Sequence, residues 1–292
     1  MAGLEDLAVG RHVQGRSVMI TDTRMEGDVD TPSVTLAGPG TWQRRTHVEN
    51  VWGTAVTFDI RGESFPENFD DILADAIAYL HQVDAWFSTY RVDTPITMYR
   101  NGLMPLSRTP TVVQEVLAAC QFARDLTRGA FDPWAVKGGV DPSGYVKGWA
   151  AGKVADQLIQ AGLANVCVDA SGDIACRGQQ APGEDWTIGI INPYDNQQVV
   201  EVVTIRDGAI ATSGLYARGD HIANPHTGTS EVFYDSATIL GPDAGLADAL
   251  ATAALVEGPN AAAWFADLPG WSVYFIKDGQ ASYFGPAFAH LG

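Results

Sequence analysis

The chain has few cysteines, few basic residues and no long apolar run, and each of these features excludes a class of protein. Its three cysteines lack the spacing of a disulfide framework or a metal site, so we expect thiols in a reducing compartment. No apolar run approaches the ~18 residues of a membrane-spanning helix. The first thirty residues show no signal-peptide pattern. If Met1 is the true start, these absences predict a cytoplasmic protein without membrane insertion.

Basic residues are outnumbered by acidic ones, 18 to 35, and the formal net charge is -17. Such a charge argues against a protein that binds nucleic acid through its phosphate backbone. It still permits a nucleotide ligand that is held by a metal ion and backbone amides. The hydrophobic fraction of 46% is ordinary for a globular protein and excludes wholesale disorder.

Several common motifs are also missing. The glycine spacing of Gly139–Gly144 is similar to that of a phosphate loop, but Tyr145 stands where a Walker A motif needs lysine. The sequence contains no G-x-G-x-x-G turn, no H-E-x-x-H pair and no G-x-S-x-G elbow. Rossmann dinucleotide binding, zinc proteolysis and α/β-hydrolase chemistry are therefore poorly supported.

The pattern along the chain predicts an α+β fold. Residues 1–46 show little periodicity and are expected to form a loosely ordered extension before a domain of residues 47–292. A strand is expected over 51–60, and short strand-like runs dominate 164–240. Helices and strands alternate without a strict βαβ rhythm, which indicates mixed or antiparallel sheets. The main predicted helices are 67–86, 111–126, 145–161 and 244–257.

The helix at 244–257 contains the most informative residue pair. Nearly every residue from Gly245 to Val256 is small or apolar, so a helix here should be buried almost all round, and Asp248 is its only carboxylate. A buried charge must be paired or bind a metal. Thr252 follows at helical spacing on the same face, and two oxygen donors suit Mg2+. The alternative is a carboxylate bonded to neighbouring backbone, with Thr252 bonded to its own helix.

Two further segments can bind an anion. At Asp141–Trp149 a Gly-rich turn runs into a helix, where free N–H groups and Lys147 can hold a negative group. A plain helix cap with an exposed lysine explains this segment equally well. At Ala211–Tyr216 a Thr-Ser-Gly turn offers hydroxyls and amides to phosphate, and the nearby His221 is either a general base or a structural histidine.

Two more segments are ambiguous when taken alone. Val168–Ile174 reads as a strand that ends in a tight turn with two acids. In Trp86–Arg91 the aromatic rings can face a planar ligand and Arg91 a phosphate, or the rings can simply pack in the core.

Taken in order, these segments resemble the ApbE family of FAD:protein FMN transferases, from about residue 48 to 275. The matching segments are Trp52–Thr54, Phe87–Arg91, Gly129–Pro133, Asp141–Ala150, Asp169–Ile174, Ala211–Gly214, His221–Gly228 and Pro242–Thr252.

The resemblance implies an ApbE-like fold with packed helices and an FAD site in a cleft between two halves. It implies Mg2+-dependent transfer of the FMN part of FAD to a threonine hydroxyl of an acceptor flavoprotein, with release of AMP. It also implies a set of site residues. Asp248, Thr252 and the Gly144 carbonyl would hold the metal, His221 would act as base, and the flavin nucleotide would be lined by Tyr90, Arg91, Lys147, Asp173, Thr212 and Ser213.

The sequence also departs from the family pattern. Trp52 stands where methionine is common, which affects how the flavin ring or adenine packs. Arg100 stands where asparagine is common, Ser171 replaces a glycine, and His226 replaces a longer basic residue. The Arg100 change keeps open an FAD pyrophosphatase that yields FMN and AMP. A third alternative is a non-catalytic FAD-binding protein.

Overall fold

The computed structural model of the chain describes residues 34–35, 42–136, 138–214 and 224–291. The strands are β1 (Val34–Thr35), β2 (Gln43–Val51), β3 (Thr54–Gly62), β4 (Asn165–Asp169), β5 (Asp173–Arg177), β6 (Gln179–Ala181), β7 (Glu184–Asn192), β8 (Asp195–Ile205), β9 (Gly208–Gly214), β10 (Ser236–Gly241), β11 (Ser272–Lys277) and β12 (Gln280–Phe284). The helices are α1 (Phe69–Phe87), α2 (Pro95–Arg100), α3 (Thr111–Leu126), α4 (Ser143–Gln160), α5 (Ala244–Glu257) and α6 (Ala262–Ala266).

Two antiparallel sheets and a layer of helices build the α+β architecture. The large sheet has the strand order β1-β2-β3-β4-β5-β9-β10-β11-β12, and the small sheet has the order β6-β7-β8. All the described pairings are antiparallel, which confirms the predicted fold class. In the middle of the large sheet, β3 pairs with β4 and β5 pairs with β9, and the strands of each pair are far apart in the chain, so the sheet brings separate motifs together.

The two faces of the large sheet pack against different partners because successive strand residues point to opposite sides. One face, which includes Phe58 and Ala211, forms the main core with the helices. The other face, which includes Ile174 and Ile210, packs with Trp186 of the small sheet in a second core. A buried functional group in this sheet therefore belongs either to the helix side or to the small-sheet side.

Helix α5 lies in the centre of the main core and is buried on nearly all sides. Most of its residues are alanine, leucine or glycine, which can be buried on every side of a helix because they have no polar side-chain group. The Asp243 carboxylate caps the helix start by accepting the Leu246 amide at 2.7 Å. The helix runs close to α4, where Gly148 faces Ala244.

Several expectations differ from the structure at turns. Most of the strand predicted over 51–60 is present as β3, but Val51 ends β2, and Trp52 and Gly53 form the hairpin turn with positive φ, 59° and 72°. A tight hairpin turn of this kind usually carries Asn-Gly or Asp-Gly, so tryptophan gives no turn signal. Strand β2 begins at Gln43, ahead of the boundary expected after residue 46.

Within the described ranges, no helix combines the length and the apolarity that crossing a bilayer requires.

Candidate active site

A lysine between two buried carboxylates forms the centre of the candidate site. Lys147 on α4 pairs with Asp173 at the start of β5, and its Nζ lies 3.8 Å from Asp248 Oδ2 on α5. Both acids are only 2% exposed. The Gly148 amide also donates to Asp248 Oδ2 at 3.3 Å. Three elements that are far apart in sequence thus meet around one ammonium group.

The three residues predicted to hold a metal, Gly144, Asp248 and Thr252, lie along the contact between α4 and α5, which we call the seam. A Cβ built on Gly144 would lie 3.5 Å from Thr252 Oγ1, so this glycine faces the threonine. Gly144 also leaves the helical conformation, with φ −79° and ψ 16°, at the first turn of α4. The Thr252 hydroxyl lies 3.2 Å from that of Ser213. One carboxylate, two hydroxyls and an irregular backbone turn are therefore close together.

This donor set decides which cation would fit. Among the residues that the structure describes, no three His, Cys, Asp or Glu side chains are grouped to bind a metal. A cation here would have to be held by Asp248 together with neutral oxygens. Such mixed oxygen coordination, completed by substrate phosphate, is typical of Mg2+ and unlike the sites of zinc or copper.

Thr212 and Ser213 lie on opposite faces of the large sheet. They are neighbours in β9, so their side chains must alternate. Ser213 points to the helix side and contacts Thr252, whereas the Thr212 hydroxyl lies 2.9 Å from that of Thr238 in β10. Of this predicted pair, Ser213 lies at the seam, and Thr212 lies on the opposite face of the sheet.

The turn between β4 and β5 places another acid near the site. Asp169 is 5% exposed and accepts the Gly172 amide at 2.8 Å. Burial raises the pKa of Asp169 to about 6, and the nearby Asp173 charge adds to the shift. The Gly172 hydrogen bond and the Lys147 charge oppose it. Asp169 thus titrates close to neutral pH beside the Lys147 cluster.

We expect Asp169→Asn to remove a pH dependence of stability. The pKa of Asp169 is raised to about 6 from 3.8, so between these values the folded state binds more protons than the unfolded state. Its contribution therefore falls as pH rises from 4 to 6. The variant should match wild type at pH 4 and exceed it at pH 8 by up to about 3 kcal/mol. Urea unfolding across this pH range measures the difference.

An exposed carboxylate provides the control for this prediction. Asp267→Asn removes the same charge at an exposed position after α6, so it should leave the pH dependence of unfolding unchanged. Equal pH profiles for wild type and Asp169→Asn would contradict the raised pKa.

Two predicted nucleotide-binding residues lie in an exposed loop after α1. Tyr90 is 94% exposed. Arg91 pairs with Asp93 at 3.2 Å and with Asp84 at 3.5 Å, both within its own part of the chain. No described contact joins either residue to the Lys147 cluster, and their binding role stays a prediction.

The predicted base, His221, lies outside the described residues. The described part of the motif begins at Asn224, whose side chain accepts the His226 amide at 2.9 Å in a turn. The His226 ring Nε2 lies 4.0 Å from Glu257 Oε2, at the end of α5. His226 thus lies at the end of the helix that carries Asp248 and Thr252.

Arg100, one of the departures from the family pattern, has a structural contact. Its Nε donates to the Gly138 carbonyl at 2.5 Å, and its side chain also packs against Gly139. These glycines, with φ of 91° and 102°, lie in the loop that leads into α4. Arg100 therefore holds the loop before α4 from a position outside the seam.

Sequence reasoning missed the hydroxyl residues Thr54 and Thr238. The Thr54 hydroxyl bonds that of Ser171 and joins the β2–β3 turn to the β4–β5 turn. Thr54 belongs to a segment that already matched the family, so a signal existed. Thr238 had none, because its pairing with Thr212 depends on strand register.

Comparison with known proteins gives a consistent result. The ApbE family model matches residues 135–275. The FAD:protein FMN transferase of Vibrio cholerae serotype O1 is 34% identical over 164 residues, which is 51% of this chain and 48% of that protein. The protein of the same name from Escherichia coli K12 is 33% identical over 162 residues, or 51% and 46%. The match spans about half the length of these curated relatives.

Solved structures show the same fold. The flavin transferase ApbE from Vibrio cholerae superposes with a TM-score of 0.74 at 23% identity, covering 86% of this chain and 100% of that one. The ApbE protein from Thermotoga maritima gives a TM-score of 0.74 at 22% identity, covering 85% and 99%. These likenesses show that the chain has the fold of the solved ApbE structures, and residues 135–275 are similar to the ApbE family.

Proposed function

We propose that the protein is an FAD:protein FMN transferase that uses Mg2+. It would transfer the FMN part of FAD to a threonine hydroxyl of an acceptor flavoprotein and release AMP. The observation that carries this proposal is the α4–α5 seam, where Asp248 lies buried beside Lys147 and one helical turn from Thr252. The names of the matching relatives support the same activity.

The oxygen donors of the seam fit Mg2+. Asp248, Thr252 and the backbone carbonyl of Gly144 would hold the ion, and the remaining positions would go to water and substrate phosphate. Bound there, Mg2+ would supply neutralisation of the pyrophosphate charge. This role suits a chain whose own net charge of -17 would otherwise repel the ligand.

The Lys147 ammonium would keep the buried acids in position. Without it, Asp173 and Asp248 would place two negative charges in a poorly solvated site, which raises the free energy of the folded state. With it, the trio has a net charge of one negative, which attracts a divalent cation. Lys147 thereby sets the orientation of the Asp248 carboxylate toward the seam.

The chemistry balances as a transfer in which a phosphoanhydride bond breaks and a phosphoester bond forms. The acceptor threonine oxygen would form a bond to the FMN phosphorus as the bond from that phosphorus to the bridging oxygen breaks. AMP leaves with that oxygen, and the threonine proton must go to a base. We propose His221 for that base, on the strength of its place in the His221–Gly228 motif. The Ser213 hydroxyl, 3.2 Å from Thr252, is available to orient phosphate oxygens.

The test is a transfer assay with a defined acceptor. The purified chain is incubated with FAD, Mg2+ and a carrier domain that bears a candidate threonine, and then intact-mass spectrometry and nucleotide chromatography follow. We expect an FMN adduct on the carrier together with AMP. A carrier whose threonine is replaced by valine and a reaction with EDTA are the matched controls.

The other outcomes separate the alternatives. FMN and AMP without adduct, across several carriers, would identify a pyrophosphatase and overturn the transferase. Intact FAD in every reaction would overturn both activities and leave a binding protein.

A further inference from the structure

Two of the three cysteines face each other across neighbouring strands. Cys167 of β4 and Cys176 of β5 occupy directly opposed positions in the antiparallel ladder. Their sulfur atoms lie 3.5 Å apart, and both residues are fully buried. Sequence spacing alone does not indicate this pair, because the pairing depends on strand register.

The β4–β5 hairpin places this pair where opposed side chains approach most closely. The hairpin turn is closed by the Ala170 amide, which donates to the Asp173 carbonyl at 2.9 Å. Hydrogen-bonded and non-hydrogen-bonded pairs alternate along an antiparallel ladder. Three residues away from that closing pair in an unbroken register, Cys167 and Cys176 form a non-hydrogen-bonded pair. The Cα atoms of such a pair are about 4.5 Å apart, which is within the range that a disulfide requires.

The third cysteine lies on the other side of the large sheet. Cys120 of α3 is buried in the main core, on the helix side, whereas Cys167 and Cys176 lie in the second core, on the small-sheet side. A disulfide between Cys120 and either of the others would have to cross the sheet. The chain thus contains one pair that can be bridged and one thiol that serves as an internal control.

Burial limits when the pair can react. The thiolate is the form of cysteine that attacks a disulfide. The hydrogen bond with Cys176 and burial raise the pKa of the Cys167 thiol well above its usual range, so little of its thiolate is present in the folded state. The side chains of the second core, which include Ile174 and Trp186, also keep a soluble oxidant away from both sulfurs. We therefore expect reaction in the folding chain, in which both thiols still meet solvent.

We propose that Cys167 and Cys176 form an intramolecular disulfide by exchange with a low-molecular-weight disulfide, such as glutathione disulfide, while the chain folds. One cysteine thiolate attacks glutathione disulfide, forms a mixed disulfide and displaces one glutathione thiolate. The other cysteine thiolate then attacks the cysteine sulfur of the mixed disulfide and displaces the second glutathione. The two cysteines are oxidised, glutathione disulfide is reduced to two glutathione molecules, and these take up the two protons that the cysteines lose.

The disulfide would stabilise the hairpin that carries Asp173. Closing the loop between the two cysteines removes conformational freedom from the unfolded chain, which favours the folded state. Asp173 begins β5 and is the partner of Lys147, so the bridge would also restrict opening of the strands that position this acid. Formation of the bridge requires neither FAD nor the proposed transfer activity, so the two proposals are tested separately.

The test compares refolding with and without the oxidant. The full chain is unfolded and reduced, and is then refolded either with glutathione disulfide or with dithiothreitol. Each product is alkylated under denaturing conditions and digested with trypsin, which leaves Cys167 and Cys176 together on the peptide 154–177 and Cys120 on another peptide. After oxidative refolding, we expect the peptide 154–177 to carry no alkyl group and to be two hydrogen atoms lighter than the dithiol peptide. Cys120 should be alkylated in both samples.

Three results of this mapping would overturn the proposal. They are alkylation of all three cysteines after oxidative refolding, a glutathione adduct that persists in place of the bridge, and a bridge to Cys120. A parallel incubation of the folded, reduced protein with glutathione disulfide should leave the pair as thiols. Oxidation as fast as in the refolding chain would overturn the restriction to folding.

Thermal unfolding supplies a second readout. The bridged protein should melt about 5 °C above the dithiol protein. Cys176→Ala should abolish this difference, whereas the matched variant Cys120→Ala, which alters the main core and leaves the pair intact, should keep it. Equal melting temperatures of the bridged and dithiol wild-type proteins would overturn the stabilising role. If Cys176→Ala does not fold, the peptide mapping of wild type still decides whether the bridge forms.

Discussion

Asp248→Asn should abolish flavin transfer in a protein that still folds. Asparagine keeps an oxygen that can accept the Gly148 amide, now at 3.3 Å from Asp248, so the α4–α5 contact can persist. It removes the negative charge that would face Mg2+. We expect the transfer rate to fall by roughly 10³-fold, the scale seen when a group that stabilises transition-state charge is lost. Initial rates across a Mg2+ titration measure this loss.

Asp243→Asn is the matched control on the same helix. Asp243 caps α5 through the Leu246 amide, and asparagine caps a helix as well as aspartate does. Both variants lose one carboxylate from the first turns of α5, but only one of them is buried beside Lys147. Asp243→Asn should therefore keep its transfer rate. If Asp248→Asn kept the Mg2+ dependence of wild type, Asp248 would not be a metal ligand.

The helices were the most predictable part of the fold because their signals are local. Helices α3 and α5 match their predicted bounds, 111–126 and 244–257. In α3 the periodic apolar residues specify one buried face. In α5 the unbroken run of small and apolar residues specifies burial on every side. Neither feature needs knowledge of what the helix packs against.

The strands were less predictable because their pairing is non-local. Strand β5 lies between β4 and β9, and β9 starts about thirty residues after β5 ends. The hairpin at Trp52 lacks the usual turn residues, so the turn was not recognised and β2 was not predicted as a separate strand. Strand β12, in contrast, follows Asp278–Gly279, both with positive φ, and this Asp-Gly pair was a usable signal.

In the candidate site, too, the contacts within a helix were predictable from local sequence, whereas the contacts between distant elements were not. Asp248 and Thr252 were predictable as neighbours because four residues make one helical turn. Their approach to Ser213 depends on which face of β9 packs against α5. Only when that face is known does the alternation of strand side chains place Thr212 on the opposite side of the sheet from Ser213. Lys147 was expected to face an anion of the ligand, but the structure gives it two carboxylate partners.

Gly148→Ala should destabilise the protein strongly through the seam itself. A methyl group on Gly148 would overlap the Ala244 carbonyl oxygen and lie 3.0 Å from Asp248 Cβ. The obstructing atoms at Ala244 are backbone, so α4 and α5 must separate to admit the methyl group. We expect the free energy of unfolding to fall by about 3 kcal/mol, at the upper end of the cost of overpacking. Urea unfolding measures this loss.

Gly152→Ala makes the same chemical change one turn further along α4. There the new methyl group would meet only the Ala244 Cβ, at the ordinary contact distance of 3.4 Å. Alanine favours a helix interior over glycine by about 1 kcal/mol, so this variant should be as stable as wild type or more stable. Equal losses in both variants would contradict this prediction and show that general crowding along α4 decides the outcome. Opposite effects would show that the close approach of α4 to the Ala244 backbone at Gly148 leaves no room for a side chain, because these two glycines differ in what faces them.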